Sequence, residues 1–342
     1  MSIDGRIGVS VTVTIRDVAR RAGVSPSSVC RALADPAAVR ADTRERVQQA
    51  VQELGYYPNR AARGLSTGRT GNLGVVLPDL GNPFFPAVVK AVQSQARACD
   101  YAVFLSDIDE EPAAEAQLIR AMAKQVDGFL LCSPRSADEE LRSFAGQVPI
   151  VVLNRRIAPF PSVTADNPDG MRQAVAHLHA LGHRRIGYVS GPRASWSNRE
   201  RWRGLRTSAG VLGGIELVEA GSVPPTVDGG IAIADVVLAA GVTAVLAYND
   251  LTALGLLHRF QARGVAVPED ISVVGFDGIM LSALVSPALT TVAVAAEQIG
   301  RVGVDLLLET MADPERSPVR RVLPAQLIVR SSTGPVKAGR TR

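Results

Sequence analysis

Residues 14–70 read TIRDVARRAGVSPSSVCRALADPAAVRADTRERVQQAVQELGYYPNRAARGLSTGRT. Thr14 stands three residues before Asp17, the capping-box spacing that satisfies the first free amides of a helix. The helix that follows carries Ile15, Val18, Ala19 and Ala22 on one face. Gly23 permits a tight turn, Ser25 can cap a second helix, and Pro26 falls at its first position, where the missing N–H costs nothing. That second helix turns Val29 and Leu33 inward and leaves Pro26, Ser27, Cys30 and Arg31 outside, at a spacing that reaches base edges in a major groove. A loop over 34–41 leads to a third helix from about residue 42 to 54, with Val47, Val51 and Leu54 inward and Gly55 at its end. The pattern predicts an all-α helix-turn-helix headpiece.

The same helices would serve a small bundle with no nucleic-acid role, and charge separates the two readings. Residues 1–70 hold 11 Lys/Arg and 6 Asp/Glu; the remaining 272 hold 26 and 27, within a chain total of +4. All the excess positive charge therefore sits in the helical segment, the electrostatic footprint of a phosphate-binding module.

The runs DVARRAGVS, SVCRAL, TRERV, LGY and PNRAARGL resemble the headpiece and hinge of the lactose-repressor (LacI/GalR) family. The similarity continues through LGVVLPDLGNPFF to VVGFD and PALTT, covering nearly the whole chain from Thr14 to about Ser332. It implies that residues 58–65 form a hinge helix only on operator DNA, with Leu65 as a minor-groove wedge, Asn59 on phosphate, and Ala61 and Ala62 as packed small positions. The chemistry agrees, since so short a helix is marginal alone and Gly64 weakens it by about 1 kcal/mol. In the headpiece, Arg31 is the candidate for a bidentate guanine contact, Ser27 and Pro26 tune its neighbours with Ser25 and Ser28 beside them, Arg16 holds phosphate and Thr14 presents helix-end amides. Two family positions differ: Ala34 and Arg40 stand where asparagine and serine are common.

At 342 residues the chain has room for a headpiece and two core-bearing lobes. Residues 1–13 read as a flexible tail, 14–57 as headpiece, 58–70 as hinge helix and linker, 71–333 as effector domain, and 334–342 as a basic tail. No secretory leader opens the sequence, which points to a cytoplasmic, nucleoid-associated protein. The apolar run 231–248 is divided by Asp235 and Gly241 into a buried helix and a buried strand, so no membrane partner is expected. Cys30, Cys99 and Cys132 lack metal-ligand spacing. Cys99 and Cys132 read as small core residues, and Cys30 as a replacement for the serine usual there.

From residue 73 onward apolar runs at 73–77, 101–105, 128–132 and 150–153, then 186–190, 244–247 and 271–275, alternate with helical stretches. Such alternation predicts parallel sheets flanked by helices, in two lobes. The resemblance adds a periplasmic-binding-protein-like architecture in which the chain crosses between lobes near residues 165, 290 and 320.

Ligands of open α/β sheets bind beyond the carboxyl ends of strands. Asn82, Phe84 and Phe85 follow one strand, Asn154 another, Arg201 lies on a loop after a third, Asn249-Asp250 follow a fourth and Asp277 a fifth. Amide, carboxylate, guanidinium and aromatic groups together suit a small polyhydroxylated ligand. Asp250 reads as a helix N-cap, while Arg201, Asn249 and Asp277 match effector-contacting positions of the family, with Ser197 and Arg199 as neighbours. Gly278 stands where a second aspartate is common and Val223-Pro224-Pro225 replaces an aromatic, so the stacking platform is either absent or supplied by Trp196.

No histidine pair has metal spacing, and no Walker loop, nucleophile elbow or catalytic constellation occurs, so neither metal, cofactor nor enzymatic activity is expected. The expected function is a homodimeric, effector-controlled repressor on a pseudo-palindromic operator, with a sugar or sugar derivative as effector. The alternative is a solute-binding protein with a vestigial headpiece.

Overall fold

The computed structural model describes residues 13–34, 36–56 and 69–337. The chain divides into two units, Met1–Thr70 and Gly71–Arg342. In the first, α1 (Ile15–Ala22), α2 (Pro26–Ala34) and α3 (Ala41–Leu54) follow one another, with a single 3₁₀ turn at Pro36–Ala38. Asp17 Oδ2 accepts from Thr14 N (2.9 Å) and from Thr14 Oγ1 (2.6 Å), which fixes the start of α1. Gly23 ends it with φ 66°, a left-handed turn that glycine adopts without a Cβ clash.

Val18, Val29 and Val47 are fully buried at the centre of this unit. Around them Ala32 and Ala50 are buried, and Leu33, Val51 and Leu54 are partly buried. All three pack against that core, inward as expected, from its edge. Short helices that cross closely leave room for methyl groups between them, and the larger side chains close the rim.

The second unit contains two six-stranded sheets. The first is made by β1 (Asn72–Leu77), β2 (Ala102–Asp107), β3 (Gly128–Cys132), β4 (Ile150–Leu153), β5 (Ser162–Ala165) and β11 (Arg320–Leu323). The second is made by β6 (Arg185–Ser190), β7 (Glu216–Ser222), β8 (Ala244–Ala247), β9 (Ser272–Asp277), β10 (Thr290–Val294) and β12 (Ala325–Ile328). Their orders, β2-β1-β3-β4-β5-β11 and β7-β6-β8-β9-β10-β12, repeat one topology. Every pairing is parallel except that of β12 with β10. Only Pro324 separates β11 from β12, so the strand that completes the first sheet runs straight on into the strand that completes the second.

Helices α4 (Phe84–Ala98), α5 (Pro112–Met122), α6 (Asp138–Arg142) and α12 (Ala296–Ala312) belong to the first lobe, and α7 (Asn167–Ala180), α8 (Trp196–Leu212), α9 (Val227–Ala239), α10 (Asp250–Ala262) and α11 (Leu281–Leu284) to the second. The chain passes between lobes at Asp166, Ala295 and Pro324, each a single residue between two elements. Two of these crossings are tied together, Asp166 N donating to Leu323 O at 2.9 Å. One apolar cluster runs through both lobes, from Leu73 and Leu130 to Tyr188 and Phe276.

Central strands β3, β8 and β9 are buried along their whole length, as near-continuous apolar runs require. Edge strand β7 carries Glu216 and Glu219 among its apolar residues and gives no such run. Among the helices, α9 and α10 touch through glycine: a Cβ on Gly230 would stand 2.1 Å from Thr252 O, and one on Gly255 would stand 2.1 Å from Val227 O.

Two expectations are corrected. Cys132 is buried, which pushes its thiol up to about 12, but Cys99 is exposed at the C-terminus of α4, where the helix has already left the core. Residues 334–337 are not a loose tail: Gly334 N donates to Ser272 Oγ (3.1 Å), Val336 N to Leu181 O (3.0 Å), and Lys337 pairs with Asp270 (3.2 Å). Among the described residues no helix is long and apolar enough to cross a membrane.

Candidate functional site

Two surfaces carry the candidate residues. In the headpiece, Ser25 Oγ accepts from Ser28 N at 3.1 Å and meets Ser28 Oγ at 2.9 Å, so both serines are engaged in starting α2. Pro26, Ser27, Cys30 and Arg31 are exposed on α2, and Thr14 and Arg16 are exposed at the start of α1. Asn59, Ala62 and Leu65 lie outside the described residues.

The second surface is a small chamber between the lobes of the second unit, lined by Asn82, Phe84, Phe85, Asn154, Ser197, Arg201 and Asp277 together with Glu110, Ser133, Arg135, Pro225 and Tyr248. Its position follows from topology. In each sheet the strand order reverses between the first strand of the lobe and the next one inward, β1 and β3 in one lobe and β6 and β8 in the other. The loops leaving such strands diverge and open a crevice.

Arg201 is the centre of the chamber. Its Nε donates to Asn167 Oδ1 (3.0 Å), its Nη1 to Tyr248 O, and its Nη2 to Asp277 Oδ1 (3.1 Å). The guanidinium lies 3.6 Å from the Phe276 ring centroid and 4.9 Å from that of Tyr248. Asp277 has φ 112°, a left-handed conformation that a non-glycine residue adopts only when its surroundings enforce it. The enforcement comes from Asp250, whose Oδ2 accepts from Gly278 N (2.8 Å), Ile279 N (2.8 Å) and Ser282 Oγ (2.7 Å) and whose Oδ1 accepts from Thr291 Oγ1. Gly275 makes room for that carboxylate, since a Cβ there would lie 2.1 Å from Asp250 Oδ1.

Burial pushes the Asp277 carboxyl up to about 7; Arg201 pulls it down and the neighbouring Asp250 pushes it further up. Asp250 rises to about 6, again by burial, with its hydrogen bonds opposing. A raised folded pKa means that the contribution to stability is complete below the ordinary 3.8 of Asp277 and is lost as pH rises through about 7. Urea unfolding from pH 5 to 8 should therefore show the wild type losing stability relative to Asp277→Asn. A constant difference between the two chains across that range would refute this linkage.

Asn249, expected among the ligand contacts, does not line the chamber. It is the N-cap of α10, accepting from Thr252 N (2.9 Å) and donating to Pro225 O (2.9 Å), and Asp250, expected to be that cap, is the first residue of the helix. A buried cap adjoining the strand end turns its side chain to the helix amides and the neighbouring backbone rather than to the chamber. Arg199 is exposed, and Trp196 lies under the Arg156 guanidinium (5.7 Å), so neither supplies a platform inside. Phe84 and Phe85 meet edge to face, centroids 5.3 Å apart, serving core and chamber together.

Glu110, Ser133, Arg135, Pro225 and Tyr248 were missed. Ser133 and Arg135 follow β3 directly and Tyr248 follows β8; applied at every strand, the strand-end rule reaches them.

The chamber encloses about 20 Å³, little more than one water molecule. Outside it lies a broad mouth of about 870 Å³, bordered by Asp79, Gly81, Asp109 and Glu110 on one lobe and by the 222–228 loop on the other. Ser197 Oγ donates across the lobes to Asn154 O at 3.1 Å. The lobes are thus drawn together over a small polar chamber.

A helix-turn-helix on a two-lobed domain of this topology defines an HTH-type transcriptional regulator with a ligand-binding fold. Residues 14–59 match the model of bacterial regulatory proteins of the lacI family, and 175–333 match a periplasmic binding protein-like domain. The chain is 35% identical over 309 residues to the HTH-type transcriptional regulator GalS of Salmonella typhimurium, covering 88% of this chain and 90% of that one. It is 32% identical over 329 residues to the HTH-type transcriptional repressor CytR of Escherichia coli, covering 94% and 96%. Among solved structures, the lac repressor dimer bound to operator and the anti-inducer ONPF superposes with a TM-score of 0.85 at 30% identity, covering 94% of this chain and 99% of that one. A LacI family regulator from Enterococcus faecium with bound ribose superposes with a TM-score of 0.70 at 30% identity, covering 78% and 100%. The chain belongs to the lacI family of bacterial transcriptional regulators.

Proposed function

We propose that the protein is a cytoplasmic homodimeric repressor, without catalytic activity, that occupies a pseudo-palindromic operator and is controlled by a sugar or sugar derivative bound between its lobes. The observation that carries the reading is the interlobe chamber: Asn82, Asn154 and Asp277 offer hydroxyl partners, Phe84 and Phe85 an apolar wall, and all lie at strand ends. The headpiece supports it with an exposed α2 face that presents Ser27 and Arg31. Relatives bound to operator, to ribose and to cellobiose make the same pair of partners the natural candidates.

Control requires only that the effector prefer one arrangement of the lobes. A roughly hundredfold preference supplies about 2.7 kcal/mol. The test is selection of bound genomic fragments by the purified chain, followed by release of the selected fragment on addition of ribose, galactose, glucose or cellobiose. Enrichment of a palindrome and its release or tightening by one sugar is the expected result. A chain that binds sugar but enriches no sequence, with or without that sugar, would be a solute-binding protein.

Within the operator, Arg31→Ala should relax discrimination at one base pair per half-site by about 1–3 kcal/mol while leaving the other positions unchanged. Competition among single-base operator variants measures this; an unaltered base preference removes Arg31 from the readout.

A further inference from the structure

We propose that Glu110 is a charge gate to the chamber, admitting uncharged effectors and turning away anionic ones. The inference rests on the interlobe effector reading above and adds the charge class of the ligand. Glu110 from one lobe and Pro225 from the other border both the mouth and the inner chamber, so a ligand passing inward goes between them.

Glu110 is held there firmly. Its carboxylate takes a two-pronged bond from Arg135, Nε to Oε2 at 2.7 Å and Nη2 to Oε1 at 2.8 Å, and the arginine side chain is only 3% exposed. Arg135 Nη1 also donates to Ser133 O at 2.9 Å, fixing the fork in the chamber wall. On the other side Glu110 N donates to Pro78 O at 2.6 Å, and Asp109 and Glu110 both take left-handed φ values, 50° and 57°. Two such residues in succession are costly without glycine, and they turn this carboxylate inward.

The charges then decide the class of ligand. The chamber holds two guanidinium groups, and each already faces a carboxylate: Arg135 faces Glu110 and Arg201 faces Asp277. A phosphate or carboxylate entering would meet no uncommitted cation, and a paired one is released only by stranding its partner. Among the described residues the mouth adds Asp79, Asp109 and Asp228, and no Lys, Arg or His borders it. Burial pushes the Asp79 carboxyl up, the Gly81 amide opposes it, and the neighbouring Asp107, Glu110 and Asp109 add to the rise. A neutral polyol crosses this field without penalty and can bridge the paired groups, donating to Glu110 and accepting from Arg135.

Inorganic phosphate is a sufficient probe, so the result does not depend on knowing the sugar or on operator binding. Thermal unfolding of the full chain would be followed against phosphate at constant ionic strength for the wild type, Glu110→Gln and Glu110→Gln/Arg135→Gln. Phosphate taken up by the headpiece is common to all three and cancels. Freed of its carboxylate, Arg135 should bind phosphate about tenfold more tightly in the single variant than in the wild type, and the gain should vanish in the double variant. Glu110→Asp, which withdraws the carboxylate by one methylene, should show a smaller gain and serves if the glutamine variant does not fold. Equal responses in wild type and variants would overturn the gate, as would a wild-type chain that binds glucose 6-phosphate in preference to glucose. Failure of every sugar to act on operator binding would instead strike the functional reading, leaving the phosphate comparison intact.

Discussion

Replacing Arg201 by methionine should abolish the response to effector while leaving operator binding in place, and it should cost the effector unit about 3–5 kcal/mol. One guanidinium here joins Asn167, Tyr248 and Asp277, so its removal strands a buried carboxylate and frees the loop after β8 from that after β9. Because burial already raises Asp277 to about 7, the stranded group escapes part of the penalty by taking up a proton. The loss should accordingly shrink as pH falls from 8 to 5. Arg201→Lys keeps the charge but not the three directed donors. It should recover part of the stability and little of the response. Urea unfolding at both pH values, with operator release measured beside it, checks each part; a fully responsive Arg201→Met chain would remove this residue from the control site.

Asp250→Ala carries a comparable effect by a different route. Four donors converge on that carboxylate, two from the backbone at Gly278 and Ile279 and two from Ser282 and Thr291. Deleting it leaves buried donors without acceptors, at about 1–3 kcal/mol each before relaxation, so a total near 4 kcal/mol is expected. The loop bearing Asp277 would lose its left-handed turn, and effector affinity should fall with stability. Its nearest isostere, Asp250→Asn, puts an amide donor where donors already point and should be nearly as harmful. A loss under about 1 kcal/mol for either variant would show that the loop is held by other contacts.

The headpiece and the central strands were legible in the sequence because their signals are local. A cap three residues from its acid, Gly23 after Ala22, and unbroken apolar runs at Gly128–Cys132 and Ala244–Ala247 need no knowledge of what lies across the fold. Edge strands β2 and β7 are weaker because one side of each meets solvent. The chamber was partly legible, since strand ends locate Asn82, Asn154 and Asp277, whereas Arg201, expected on a loop, lies inside α8. What strand ends do not settle is which of two adjacent polar residues faces the ligand. At Asn249-Asp250 neither does: one caps a helix and the other ties down a neighbouring loop. Nor does local pattern reveal that Glu110 reaches Arg135, 25 residues further along the chain. Pairings of that range exist only once the sheet has been laid down.

The crossings at Asp166, Ala295 and Pro324 also bear on how a signal travels. A single-residue link has almost no slack, and one of the three carries a proline ring that locks its φ. Three such links join the lobes, and two of them lie side by side with a hydrogen bond between them. Any rearrangement of one lobe against the other must therefore pass through all three short links at once.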